Sequence, residues 1–185
     1  MVTRQQTSAM VFDFLYYGKT IKLASEFKQG GIVVFQSTTL NLAPPAKESD
    51  NTGINIQRGE NILLHISIRR RERLLLFSSK PAGGDWSAME GGPLKGAFYG
   101  SQPSITVYDH GDRFQILTDY DTNYYFIKKI TGIADSFSYL AYNSPTIPSP
   151  LSDPLFVTIY GSFEGMVPAG QGAGINPAGE ADPAK

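Results

Sequence analysis

The chain has 185 residues, 41% of them hydrophobic and 12% aromatic, with 16 basic against 17 acidic side chains and a formal net charge of −1. That is enough apolar mass for the core of one domain, and too even a charge for a whole-molecule field drawing it to nucleic acid or acidic lipid. The absence of cysteine excludes disulfides, thiolate nucleophiles and cysteine-based zinc sites.

The first ten residues are polar and read as a flexible extension without the apolar stretch of a secretory signal. No apolar run approaches the roughly 20 residues that a membrane helix needs. The expected location is the cytoplasm, or the exterior by a route that uses no signal peptide, with no membrane insertion. Residues 11–168 then alternate short runs rich in Val, Ile, Phe and Tyr with turn residues. The spacing predicts strands at residues 11–17, 32–36, 62–69, 73–79, 104–109, 113–118, 124–128, 136–141 and 156–160, with no window of helical period. Such a series of short strands implies an all-β fold, an antiparallel β-sandwich or barrel. Residues 42–50, with Pro44-Pro45 and Lys47-Glu48-Ser49-Asp50, read as a polar loop. Asp109-His110-Gly111-Asp112 and the stretch 119–123 read as hairpin turns. Residues 169–185, rich in Gly, Ala and Pro, read as a disordered tail.

One strand carries chemistry. In Leu64-His65-Ile66-Ser67-Ile68-Arg69 the side chains alternate, so Leu64, Ile66 and Ile68 share the core side. His65, Ser67 and Arg69 then share the other side, an exposed one on this reading, at about 7 Å per pair of residues. Arg70-Arg71-Glu72 is short enough to turn the chain. The next strand puts Leu75 and Phe77 on one face and Ser78 on the other. Trp86, the one tryptophan, follows in a glycine-containing loop. An indole beside polar donors is a platform for the C–H face of a pyranose ring, while the polar groups set its orientation. The bland alternatives are an ordinary wet sheet face and a core tryptophan.

Other constellations are weaker. Arg69-Arg70-Arg71-Glu72-Arg73 reads as a solvated turn, because no wider basic footprint surrounds it, and no nucleic-acid partner is expected. His65 and His110 are the only histidines and lie far apart, which makes a zinc site improbable, so no metal and no cofactor are expected. His110 reads as structural, and Asp109, Asp112, Asp119 and Asp121 as residues that cap and solvate turns. A retaining glycosidase needs two carboxylates about 5 Å apart across the sugar. Only Glu90 is expected near the cleft, so no catalytic residues are assigned and the chain is not read as an enzyme.

The run from Ile62 to Arg69, then Leu76-Phe77-Ser78-Ser79, then Trp86, resembles the galectin carbohydrate-recognition motif in its fungal branch. So does the stretch from Pro103 to Ile116. The likeness spans nearly the whole domain and implies a jelly-roll sandwich, a lectin for β-galactosides, and assembly into homo-dimers or homo-tetramers. It further implies that His65 and Arg69 donate to sugar hydroxyls, that Trp86 stacks on the ring, and that Ser67, Ser78 and Glu90 complete the carbohydrate-binding network. Two positions depart from the family pattern. Ser78 stands where an Asn is usual, and Met89 where a Glu is usual, with Glu90 one residue later. On this reading Arg69 has lost a charge-assisted partner, unless Glu90 takes its place. Residues 31–37, Asp50-Asn51 and Arg69-Arg70-Arg71-Glu72 resemble a chito-oligosaccharide-binding, galectin-related branch, so N-acetylated glycans (LacNAc, LacdiNAc, chito-oligosaccharides) join β-galactosides as candidate ligands, in fungal defence or cell adhesion. The rival readings are a sugar-blind interaction module with an eroded site, and a glycosidase.

Overall fold

A computed structural model describes residues 10–45, 51–141 and 147–162. The expected extension at 1–10 and the tail at 169–185 lie, but for Met10, outside these residues, as does the boundary at 168. Among the described residues there is no helix, and twelve strands follow in chain order. They are β1 (Val11–Leu15), β2 (Lys19–Phe27), β3 (Ile32–Gln36), β4 (Thr52–Arg58), β5 (Asn61–Arg69), β6 (Leu74–Lys80), β7 (Glu90–Pro93), β8 (Ser104–Asp109), β9 (Arg113–Thr118), β10 (Asp121–Ile127), β11 (Ala134–Ala141) and β12 (Leu155–Tyr160). They form two six-stranded sheets, ordered β1-β12-β3-β8-β9-β10 and β2-β11-β4-β5-β6-β7, antiparallel throughout. The all-β sandwich expected from the sequence is therefore the fold.

Alternation explains the core. Val33, Phe35, Ile105, Val107, Phe114, Ile116 and Val157 fill it from the first sheet, and Ile54, Ile56, Leu64, Ile66, Ile68, Leu75 and Phe77 from the second. Aromatic rings join the layers: Phe35 of β3 meets Phe137 of β11 edge-on at 5.4 Å, and Phe77 of β6 stacks on Tyr124 of β10 at 5.1 Å. Buried apolar area of this kind is the dominant stabilising contribution, at about 25 cal/mol per Å².

Three strands, β2, β4 and β7, are not legible in the hydrophobic pattern. β2 mixes Lys19, Lys22, Ser25 and Glu26 with its apolar residues, and β4 contains Gly53, Asn55 and Gln57. β7 is Glu90-Gly91-Gly92-Pro93. It can pair with β6 because Gly91, at φ +144°, carries no side chain; a Cβ there would lie 2.2 Å from the Leu75 carbonyl oxygen.

Two turn residues are not the solvated groups expected. Arg70 is buried, and its guanidinium donates from Nη2 to the Pro148 carbonyl at 2.7 Å and from Nη1 to the Asn41 carbonyl at 3.4 Å. It ties the β5–β6 turn to two other loops. Asp109 is also buried, 2.6 Å from Lys128 Nζ, while its Oδ1 accepts from the Gly111 backbone N–H at 2.7 Å. It caps the turn as expected, but from inside. His110 is structural, as read from the sequence: its ring lies 4.1 Å from that of Tyr108 and its Nε2 lies 2.9 Å from Gln115 Oε1.

Candidate functional site

β5 lies between β4 and β6, with Asn55 opposite His65 on one side and Ser78 opposite it on the other. On the far side of β4, Ser138 of β11 is opposite Asn55. The result is a polar row, Ser138–Asn55–His65–Ser78, running across four strands on the face turned away from the core. His65, Ser67 and Arg69 share that face, as alternation requires. The expectation that the row is exposed is overturned: His65 is 1% and Ser67 0% exposed. Buried polar groups must find partners, and those partners give the row its order.

The Asn55 amide donates from Nδ2 to Ser138 Oγ at 2.7 Å, which leaves its Oδ1 to accept from His65 Nδ1, also at 2.7 Å. The proton therefore sits on Nδ1, and His65 Nε2 carries a lone pair. Burial, with a smaller contribution from the Arg69 charge, lowers the His65 pKa to about 3. The imidazole is neutral at physiological pH. This corrects the sequence reading of His65 as a donor to sugar: its N–H is directed to Asn55 Oδ1.

A second chain of hydrogen bonds starts at the guanidinium. Arg69 donates from Nε to Ser67 Oγ at 3.2 Å, and Ser67 donates to Asn51 Oδ1 at 2.6 Å. Arg69 Nη1 donates to Glu72 Oε2 at 3.1 Å. Arg69 thus keeps a charge-assisted carboxylate partner, contrary to expectation, and that partner comes from its own hairpin turn. Its Nη2 lies 2.8 Å from Met89 Sδ. The Arg69 side chain remains 16% exposed, the opening through which it meets solvent.

Trp86 sits half-buried in the loop between β6 and β7, with its ring 4.7 Å from the His65 ring and 5.6 Å from Lys80 Nζ. It belongs to neither hydrophobic core cluster, so the core reading does not apply. The adjacent Ser87 fixes the loop. Its backbone N–H donates to the Ser79 carbonyl at 2.8 Å, and its Oγ accepts from the Ser79 backbone N–H at 2.9 Å. Ala82 N–H donates to Asn61 Oδ1 at 3.0 Å, which fastens the other arm of the loop to the start of β5.

Ser78 is fully buried, and its Oγ has no hydrogen-bond partner among the described residues. Glu90 lies elsewhere. It pairs opposite Phe77, so it shares the core-side face of β6 and β7. Its carboxylate accepts from Tyr124 Oη at 3.1 Å and faces Lys129 Nζ at 3.1 Å. Pairing register, rather than loop flexibility, decides its direction, and it does not replace the missing glutamate beside Arg69. The structure therefore brings His65, Ser67, Arg69, Ser78 and Trp86 together and leaves out Glu90. It adds Asn51, Asn55, Glu72 and Met89. The alternation Ile54-Asn55-Ile56-Gln57 is the signal that could have placed Asn55 on the polar face, and the Arg69-x-x-Glu72 spacing across a tight turn could have paired those charges.

Comparison with known proteins follows the same lines. No family model matches the chain. It is 40% identical over 156 residues to Galectin-1 of Coprinopsis cinerea, and 37% identical over 156 residues to Galectin-2 of the same fungus. Each alignment covers 84% of this chain and 97% of the relative. It is 33% identical over 135 residues to an anti-tumor lectin of Cyclocybe aegerita, covering 70% of this chain and 85% of that one. Among solved structures, Caenorhabditis elegans galectin LEC-6 superposes with a TM-score of 0.56 at 12% identity, covering 80% of this chain and 94% of the other. Chicken Galectin 2 gives 0.56 at 14% identity, covering 78% and 99%. At such identities these two structures speak to the fold alone.

Proposed function

The chain belongs to the fungal galectin family, a galectin-type lectin and not an enzyme, and from that premise we propose that the polar row of β5 and β6, flanked by Trp86, is its glycan-binding site. The observation that carries this reading is the joining of His65, Ser67 and Arg69 on one face with an indole 4.7 Å from the imidazole. Arg69 donates to sugar hydroxyls and His65 Nε2 accepts from one. Trp86 covers the apolar face of the pyranose, and Ser67 holds the guanidinium in place. The ligand is a β-galactoside or an N-acetylated relative such as LacNAc, LacdiNAc or a chito-oligosaccharide. A site built to pair particular hydroxyls rejects sugars that lack them, because its own buried polar groups are then left unpaired.

A shallow site gives modest affinity, and a homo-dimer or homo-tetramer raises it by avidity on a glycan-bearing surface, in fungal defence or adhesion. Among the described residues, no helix is long and apolar enough to cross a membrane. The glycosidase alternative finds little support here: Glu72 is tied to Arg69, and Glu90 to Lys129 on the other face of the sheet.

Calorimetric titration with β-galactosides and N-acetylated disaccharides tests the reading. Wild type binds, Arg69→Ala weakens binding about tenfold to hundredfold by removing charge-assisted hydrogen bonds, and Trp86→Ala does so at an unchanged melting temperature. Absence of binding to every such sugar by the folded wild type overturns it.

A further inference from the structure

A second group of aromatic and polar side chains lies on the flank of the sandwich. There the edge strands β7 and β10, one from each sheet, border a cleft of about 260 Å³. β9 and β10 are joined by a two-residue turn, Asp119-Tyr120, with φ of +48° and +72°. Asn-Gly or Asp-Gly adopts that backbone most easily, and a bulky residue at its second position is strained. Tyr120 holds the position nonetheless, and at 54% exposure its ring adds little to the core. Strain of this kind is kept where function needs the side chain. The Asp119 carboxylate accepts from the backbone N–H groups of Tyr99 at 2.7 Å, Gly100 at 3.3 Å and Ser104 at 2.8 Å. It thereby fastens the loop after β7 to the turn. Phe98 anchors that loop in the core, and the next residue, Tyr99, is 72% exposed. Two outward tyrosines thus stand on backbone held by one carboxylate.

The geometry points to a second carbohydrate site on this flank, for one neutral sugar ring, separate from the face of β5 and β6. Tyr99 and Tyr120 offer rigid aromatic surfaces to the C–H side of a pyranose at low entropic cost. Lys95 and Asn123, which line the cleft, supply hydrogen bonds to hydroxyls. The wall made by Gly91 and Gly92 carries no side chains, and a Cβ on Gly92 would meet no atom within 4 Å. A ring can therefore approach the backbone closely. The cleft falls just below the range of about 300–1,000 Å³ typical of drug-sized ligands, which suits a single ring. Lys95 is the one charged side chain among the lining residues, too little for a phosphate-bearing ligand. An extended peptide is disfavoured because both edges are blunted against strand addition. β7 ends in Pro93, and β10 carries a bulge between Thr122 and Tyr124. One protomer then holds two sugars and bridges two glycans without self-association.

The experiment follows amide chemical shifts of the isotope-labelled full chain, titrated separately with methyl β-galactoside, methyl β-glucoside and methyl α-mannoside. At least one glycoside is expected to shift the amides of residues 95–100 and 119–124, apart from any response of β5 and β6. Arg69→Ala should silence β5 and β6 and leave the flank response intact. Tyr120→Gly suits the turn, so its melting temperature should hold or rise. It removes one aromatic surface and should weaken binding at the flank about tenfold. Tyr99→Ala should do the same from the loop. A response of β5 and β6 with none at the flank overturns the inference and leaves the lectin reading standing. So does a flank response that Tyr120→Gly and Tyr99→Ala both leave unchanged. A response at the flank alone sustains the inference and sinks the site on β5 and β6. Silence of both regions with all three glycosides overturns both.

Discussion

Phe77 and Ser78 are neighbours in β6, and each is 0% exposed. Yet they belong to two different regions. Phe77 points between the sheets and stacks on Tyr124, whereas Ser78 points to the opposite face beside His65. Burial does not tell the two faces of this ribbon apart. What does is the way each satisfies its atoms. The inner face is held by apolar contact among Leu64, Ile66, Ile68, Leu75 and Phe77. The outer face is held by directed hydrogen bonds from Asn55 to Ser138 and from Arg69 to Ser67 and Glu72. The first arrangement serves the fold, and the second keeps donors and acceptors in fixed orientation for a ligand. Mutation should therefore separate stability from binding between residues adjacent in sequence.

The largest effect belongs to the inner face. Phe77→Ala opens a cavity in the core and should cost about 3–5 kcal/mol of stability. Denaturant unfolding measures this, and glycan affinity per folded molecule should remain near that of wild type. An equal loss of affinity would show that the two faces are not separable.

Acid gives the next largest effect, and it acts on the outer face. His65 takes up a proton with a pKa of about 3 when folded, against a reference value of 6.5. Between those values the unfolded chain binds the proton and the folded protein does not, so stability falls as pH falls. Going from pH 6.5 to 4.5 should remove about 2 kcal/mol through this group. Urea midpoints across that range measure the slope, and a His65→Gln variant should show a correspondingly flatter curve. Matching slopes in the two proteins would mean that His65 is not held neutral by its surroundings. The same neutrality predicts that glycan affinity stays constant over this range, since the Nε2 lone pair is retained.

The inner face was legible in the sequence because alternation of Leu, Ile and Phe is a strong period-two signal, and it placed β5 and β6 correctly. It also placed His65, Ser67 and Arg69 on one side. Alternation assigns a side and says nothing of what covers it, so the burial of His65 under Trp86 and beside Asn55 was beyond its reach. Polar strands show the same limit. Asn55 in β4 alternates with Ile54 and Ile56, but beside Gly53 that run is too short to mark a strand until its cross-strand partners are known. Glu90 was misplaced for a related reason: its direction follows from pairing with Phe77, and register is not written in a four-residue segment containing two glycines.

The smallest effect is the sharpest test of the comparison. Ser78 Oγ is buried without a hydrogen-bond partner among the described residues. An orphaned hydroxyl contributes nothing to the folded state and costs its desolvation. Ser78→Ala should therefore leave stability unchanged or slightly raised, the opposite of truncating its neighbour Phe77. If the hydroxyl is kept for the glycan, the same substitution removes one neutral hydrogen bond from the complex, worth about 0.5–1.5 kcal/mol, or roughly twofold to tenfold in affinity. A melting temperature held or raised together with weaker binding is the signature of a group whose partner is the ligand. A melting temperature raised with affinity intact would remove Ser78 from the site and leave His65, Ser67, Arg69 and Trp86 to carry it.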